Sequence, residues 1–439
     1  MKIKAGDVHN VLEEYMLADG FDVVMDLERS HGSFFYDSKR NREMLDFFTC
    51  FASSPIGYNH PGLTNEFFLE KMKRVVINKP SNSDIYTIEF AEFVDTFASI
   101  AKPSVFNHLF FVSGGALGIE NGLKTAFDWK VRKNKKNGLR KKEGMKVVHF
   151  EQAFHGRTGY TLSLTNTFDL RKTMYFSRFD WPRFKNPKLN FPVTDKEIER
   201  VQKMEEEVIG AIKDLVKECG DNIAALIIEP IQGEGGDNHF RGEFLKSLET
   251  ISQENDIMYI LDEVQTGIGL TGKMWCYEHF DLKPDILAFG KKTQVCGIMV
   301  GQRVDEVENN VFVESSRLNS TWGGNLVDMV RCQRYLEIIE EEKLVENAAD
   351  VGAYLLTGME ELSYEFKEVV SNVRGRGLMI AFDMPDTNVR DKVFEKCLDE
   401  NLLVLKSGEK SIRFRPPLNL SKEEADSGIE IIKKVLKTM

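Results

Sequence analysis

Cysteine is scarce in this chain. Six stand in 439 residues, at Cys50, Cys219, Cys276, Cys296, Cys332 and Cys397, and no two form a CxxC pair. That spacing argues against a zinc knuckle or a dithiol redox motif, and no metal is expected. No apolar run approaches the roughly 20 residues needed to cross a bilayer. The opening MKIKAGDVHN lacks the apolar stretch of a signal peptide. Internal repeats and low-complexity linkers are missing as well. There is no excess of positive charge: 58 Lys and Arg face 69 Asp and Glu, a net charge of −11. General binding to nucleic acid or to an anionic membrane is therefore disfavoured. A soluble protein of a reducing compartment is expected, most simply the cytoplasm.

What remains is ordinary globular composition, 42% hydrophobic and 29% charged. The length suggests about two or three domains, with enough buried surface to fold without disulfide or metal staples. Short apolar runs, HLFFVSG (108–114), MKVVHFE (145–151), IAALIIEP (223–230), IMYILDE (257–263) and DILAFGK (285–291), read as strands buried on both faces. Between them, 116–130 and 242–255 have helical periodicity. This alternation predicts an α/β fold, a mostly parallel sheet with helices on both faces. Ser421 with Glu424 three residues on predicts a capping box for a last helix. The first 80 or so residues and the last 100 or so fit the alternation less well and are expected to form a smaller domain. The basic stretch 130–142 reads as a solvated helix end and loop, since no aromatic residues interleave as a nucleic-acid groove would require.

The segment GIGLTGK (267–273) matches a dinucleotide fingerprint and part of a phosphate-binding loop. However, Met274 stands where a magnesium-holding Ser or Thr belongs, and five residues separate the glycines from the strand. It is read as a flexible loop; a nucleotide-binding regulator is the alternative of a different class. The ends of the predicted strands carry more information, because open α/β sheets collect ligands there. They place Ser113-Gly114-Gly115-Ala116 before a helix, Phe154-His155-Gly156-Arg157, Glu229, Asp262 with Gln265, and Lys291. A phosphate cradle at a helix N-terminus, an aromatic face, an acid and an amine together suit pyridoxal 5'-phosphate.

The strings SGGALGIENGLKTAFDWK, FHGRTGYTLSLTNT, EPIQGEGGD, LDEVQTGIGLTG, DILAFGKKTQVCG, RLNSTWGGN and RFRPPL occur in the order found in the class-III aminotransferases of fold type I. The chain resembles that family over nearly its whole length. GKKTQVCG, NKPSNSD and RLNSTWGGN make it most similar to the lysine 6-aminotransferase group within it. The resemblance implies a large cofactor-binding domain over 86–333. It also implies an N-terminal segment 1–85 that contributes to the small domain and dimer interface, and a C-terminal small domain over 334–439.

By the same resemblance, Lys291 is the lysine that forms a Schiff base with the cofactor, with Lys292 as its rival. Asp262 pairs with the pyridine nitrogen, Gln265 bonds the phenolic oxygen, and Glu229 supports that arrangement from behind. Phe154 stacks on the ring, while Gly115 and Ala116 offer backbone N–H groups to the phosphate. Thr321 reaches the phosphate from the neighbouring subunit of a homodimer. Arg413, with Arg415 as its rival, and Arg157 hold substrate carboxylates, and Glu234 pairs with Arg413 and swings away. The implied reaction carries the ε-amino group of L-lysine to 2-oxoglutarate, giving 2-aminoadipate 6-semialdehyde, which cyclises, and L-glutamate. Ornithine or 4-aminobutyrate are the alternative donors.

Overall fold

The computed structural model describes residues 3–139 and 145–439. The chain begins with a hairpin of β1 (Phe34–Asp37) and β2 (Arg42–Asp46). The middle supplies β3 (Phe106–Val112), β4 (Lys146–Phe150), β5 (Arg183–Phe184) and β6 (Ile223–Ile228). A small pair, β7 (Ile231–Gln232) and β8 (Asn238–His239), precedes β9 (Met258–Asp262), β10 (Ile286–Phe289) and β11 (Cys296–Gly301). The last part holds β12 (Ser371–Arg376), β13 (Met379–Asp383), β14 (Leu402–Leu403), β15 (Leu405–Ser407) and β16 (Ser411–Phe414).

Seven strands form one sheet in the order β3-β11-β10-β9-β6-β4-β5. From β10 to β5 every pairing is parallel. The strand β11 runs antiparallel to both β10 and β3. All five expected strands are present, but β11 is an addition that sequence periodicity did not separate from the motif before it. Its CGIMVG sequence is fully buried. Gly297 is what lets it fit: a Cβ there would lie 2.1 Å from the carbonyl oxygen of Phe110 and 2.7 Å from the Phe289 ring.

Alternate residues of β6, β9 and β10 enter two separate cores, which is why these strands read as continuous apolar runs. The edge strand β3, expected to be buried on both faces, is exposed at Asn107 and only half-buried at His108, Leu109 and Phe110. Ala225, Ile227, Met258, Ile260, Ile286 and Ala288 pack with Ile119, Leu123 and Trp129 of the helix Gly115–Lys136. Leu226, Ile228, Tyr259, Leu261, Leu287 and Phe289 share the other core with Phe244 and Leu248 of the helix Gly242–Glu254. The chain ends meet in space: β14 pairs in parallel with β2, Leu402 opposite Leu45. The other C-terminal strands form an antiparallel sheet β12-β13-β16-β15. The helix Lys422–Leu436 carries the Ser421–Glu424 capping box. Among the described residues no helix is long and apolar enough to cross a membrane.

Two readings need correction. The segment 267–273 is not a flexible loop but a buried turn. A Cβ on Gly267 would strike Trp275 at 2.4 Å, and one on Gly272 would strike the Ala349 backbone at 3.0 Å. Its glycines serve close packing, and no α-helix follows to cradle phosphates. The basic stretch is also less solvated than expected. Lys130 is buried and donates to the Asp256 carbonyl at 2.7 Å, and Lys133 pairs with Glu306 at 2.8 Å. Residues 140–142 of that stretch lie outside the described residues.

Gly297→Ala is expected to cost at least about 1–3 kcal/mol, the usual penalty of overpacking a core. A fall in the denaturation midpoint would show it; an unchanged midpoint would mean that β3 and β11 can separate freely.

Candidate active site

The carboxyl ends of the parallel strands face a pocket of about 550 Å³. Gly114, Gly115 and Ala116 follow β3, Phe154 to Arg157 follow β4, and Glu229 follows β6. Asp262 ends β9, and Lys291 stands two residues beyond β10; all of these line the pocket. Ser53, Glu234, Val264, Gln265, Gln294 and Cys296 complete its wall. The fold thus gathers residues that are up to 243 positions apart in sequence, at the strand ends where open sheets collect ligands.

The two lysines separate cleanly. Lys291 adopts φ +52 at the start of a short turn and lines the pocket. Lys292 is buried, and its ammonium donates to the Gln265 carbonyl at 2.7 Å. Burial lowers the Lys291 ammonium to about 8, helped by the positive charges of Arg413 and Arg415.

Asp262 has both oxygens engaged. One accepts from Val264 N–H at 3.1 Å, and the other lies 2.8 Å from His155 Nδ1. The His155 side chain is fully buried and its Nε2 has no partner among the described residues. This histidine sits inside the FHGR string, yet it was given no role from sequence; its position beside a motif phenylalanine and arginine was the available signal. Glu229 accepts Phe154 N–H and Gly233 N–H, each at 2.9 Å, and so ties two pocket loops together. Burial pushes its carboxyl above the ordinary value.

Gln265 does not bond Glu229. Its carbonyl oxygen accepts from Arg413 at 3.3 Å and from Arg415 at 2.8 Å and 3.1 Å. Both guanidiniums fix the amide, which turns its donor end away from them. Arg415 is fully buried and ion-paired with Asp237. Arg413 is buried without a carboxylate within 4 Å among the described residues, and its Nε is unpartnered. Burial and the Arg415 charge lower it to about 10. Arg157 is exposed and lines the pocket.

Glu234 lines the pocket but does not pair with Arg413. It is bound instead to the Lys172 ammonium and, at 3.0 Å, to the Thr167 hydroxyl. Thr321 is not brought to this chain's pocket. It is exposed, and its carbonyl accepts from the Ser81 hydroxyl.

The residues present fit pyridoxal 5'-phosphate. The first amides of the helix Gly115–Lys136 have no intrahelical acceptor, as an anion-binding helix N-terminus requires. A Cβ on Gly114 would meet nothing within 4 Å, so the approach to those amides is open. An acid, an amine with a depressed pKa and an aromatic ring face the same space. The family model for aminotransferase class-III matches residues 16–436. The chain belongs to the class-III aminotransferases. An L-lysine-epsilon aminotransferase of Mycobacterium tuberculosis is 49% identical over 431 residues, 98% of this chain and 95% of the relative. That of Amycolatopsis lactamdurans is 46% identical over 432 residues, with the same shares. The solved lysine aminotransferase of M. tuberculosis, in the internal aldimine form, superposes with a TM-score of 0.97 at 47% identity. It covers 99% of this chain and 100% of that one. This class-III aminotransferase accordingly has the fold type I architecture.

Acetic anhydride should label Lys291 of the cofactor-stripped protein with a midpoint near pH 8, because burial and the nearby Arg413 and Arg415 disfavour the charged amine. An ordinary lysine titrates at about 10.4. Peptide mass spectrometry across pH reads the midpoint; a value near that of surface lysines would refute the electrostatic account.

Proposed function

We propose that this class-III aminotransferase is an L-lysine 6-aminotransferase. It moves the ε-amino group of L-lysine to 2-oxoglutarate, giving 2-aminoadipate 6-semialdehyde, which cyclises to a piperideine carboxylate, and L-glutamate. The observation that carries this reading is the charge layout of one pocket. An amine and an acid lie at its base, a buried arginine without a carboxylate lies close by, and a second arginine stands at its mouth. Full-length similarity to L-lysine-epsilon aminotransferases supports the choice of donor.

Pyridoxal 5'-phosphate, when bound, supplies a carbonyl that exchanges amino groups and a ring that takes up the electrons released from a breaking C–H bond. Gly115 and Ala116 would hold its phosphate through backbone N–H groups, and Phe154 would cover one ring face. Asp262 would keep the ring nitrogen protonated, and His155 would orient that carboxylate. Gln265, fixed by two guanidiniums, would turn its N–H donors toward the phenolic oxygen. Lys291, with an amine that ionises close to neutral pH, can take and return a proton at Nζ.

L-Lysine must bring its distal ammonium to Lys291 and leave its α-carboxylate near the mouth, within reach of Arg157. Glutamate and 2-oxoglutarate place a carboxylate close to the reacting carbon, where Arg413 would receive it. A homodimer in which Thr321 of each chain completes the other chain's phosphate site is part of the proposal; the exposed Thr321 and Trp322 support it.

A panel of amine donors with 2-oxoglutarate tests the donor. L-Lysine should give the highest kcat/KM and a cyclic imine that o-aminobenzaldehyde traps. Preference for L-ornithine or 4-aminobutyrate would assign the enzyme to a neighbouring specificity.

A further inference from the structure

Glu234 has two cations to choose from, and the structure shows which one it takes. Its Oε1 accepts from the Lys172 ammonium and from Thr167 Oγ at 3.0 Å, while Oε2 is buried with no partner among the described residues. Its backbone cannot follow the side chain, because its carbonyl is held by Gly408 N–H at 2.8 Å. On the other side Arg413 is left with one 3.3 Å bond to Gln265 and a buried, unpartnered Nε. Lys172 lies on the segment between the helix Gly159–Leu164 and β5. Its backbone N–H is held by the Asp169 carbonyl at 3.1 Å, and its side chain is 32% exposed. None of the sequence motifs includes it.

We propose that Lys172 is a specificity-determining residue: by holding Glu234 away from Arg413, it keeps Arg413 ready for the carboxylate of the 2-oxo acid. The inference rests on the reading that Arg413 receives that carboxylate and that Glu234 substitutes for it when the substrate lacks one there. A ligand that needs Arg413 free binds in proportion to the fraction of enzyme in which it is free. Lys172 and Thr167 raise that fraction by offering the carboxylate an alternative cation and hydroxyl. L-Lysine, which presents no carboxylate at Arg413, is favoured by the opposite arrangement. Lys172 is thus a positioning residue that sets the balance between the two half-reactions without touching either substrate.

The test measures each half-reaction of the holoenzyme separately by the cofactor's absorbance, with 2-oxoglutarate against the amino form and L-lysine against the pyridoxal form. Lys172→Met should lower kcat/KM for 2-oxoglutarate by about two- to fivefold, the worth of a partly exposed ion pair. The value for L-lysine should stay level or rise. Lys172→Arg should restore the wild-type ratio. In a Glu234→Gln background, which removes the charge that Lys172 holds, Lys172→Met should have no further effect on the ratio. Equal losses in both half-reactions, or an effect that persists in the Glu234→Gln background, would overturn the proposal. If wild-type enzyme does not react with L-lysine, the donor assignment fails by itself. The 2-oxoglutarate and L-glutamate directions with the same variants then still judge Lys172.

Discussion

Lys291, Arg413 and Arg415 bring three cations into one buried region at the carboxyl end of a parallel sheet, and the site is organised by how that charge is offset. A buried charge without a partner is costly. Arg415 meets this cost with Asp237 and a shared hydrogen bond to Gln265. Lys291 meets it by giving up its proton more easily than an ordinary lysine. Arg413 has only a 3.3 Å bond to Gln265 and a lowered pKa, since the carboxylate expected beside it is held by Lys172. The remaining positive surplus suits anionic ligands, a phosphate at the helix N-terminus and carboxylates at the arginines. Asp262, buttressed by His155, adds a negative charge to the same pocket, and the proposal sets it against the ring nitrogen of the cofactor.

Backbone packing carries the same arrangement. Lys291 can face the pocket only because the chain reverses directly after it and returns as β11, and β11 fits against β3 only because residue 297 has no side chain. The lysine proposed to move the proton therefore depends on a contact between two backbones on its far side. Glu229 plays a similar part across the pocket by holding the N–H groups of Phe154 and Gly233.

The strands β4, β6, β9 and β10 were legible from the sequence because burial on both faces leaves uninterrupted apolar runs, while the edge strand β3 was found by its apolar run although its middle is only half-buried. The strand β11 was not, since its two glycines weaken the strand signal and what makes it a strand is close approach to β3 and β10. The GIGLTGK turn looked flexible for the same reason, because glycines that permit close packing and glycines that permit motion have the same composition. Apart from Ser53, the residues lining the pocket were legible as motif members, and the family resemblance singled out Lys291 from Lys292. His155 and Lys172 were not. One is a buried support behind a motif carboxylate, and the other lies 62 positions from the glutamate it holds. Thr321, expected to reach the phosphate of a neighbouring subunit, stays outside the pocket of its own chain.

The proposed reaction requires this pocket to take the distal, not the proximal, amine of lysine. Reaction of holoenzyme and 2-oxoglutarate with L-lysine carrying nitrogen-15 at either the ε or the α position tests it directly. Mass spectrometry of the glutamate formed should find the label when it starts at the ε position and none when it starts at the α position. Label arriving from the α position instead would contradict the placement of Arg157 at the mouth and the proposed reaction with it.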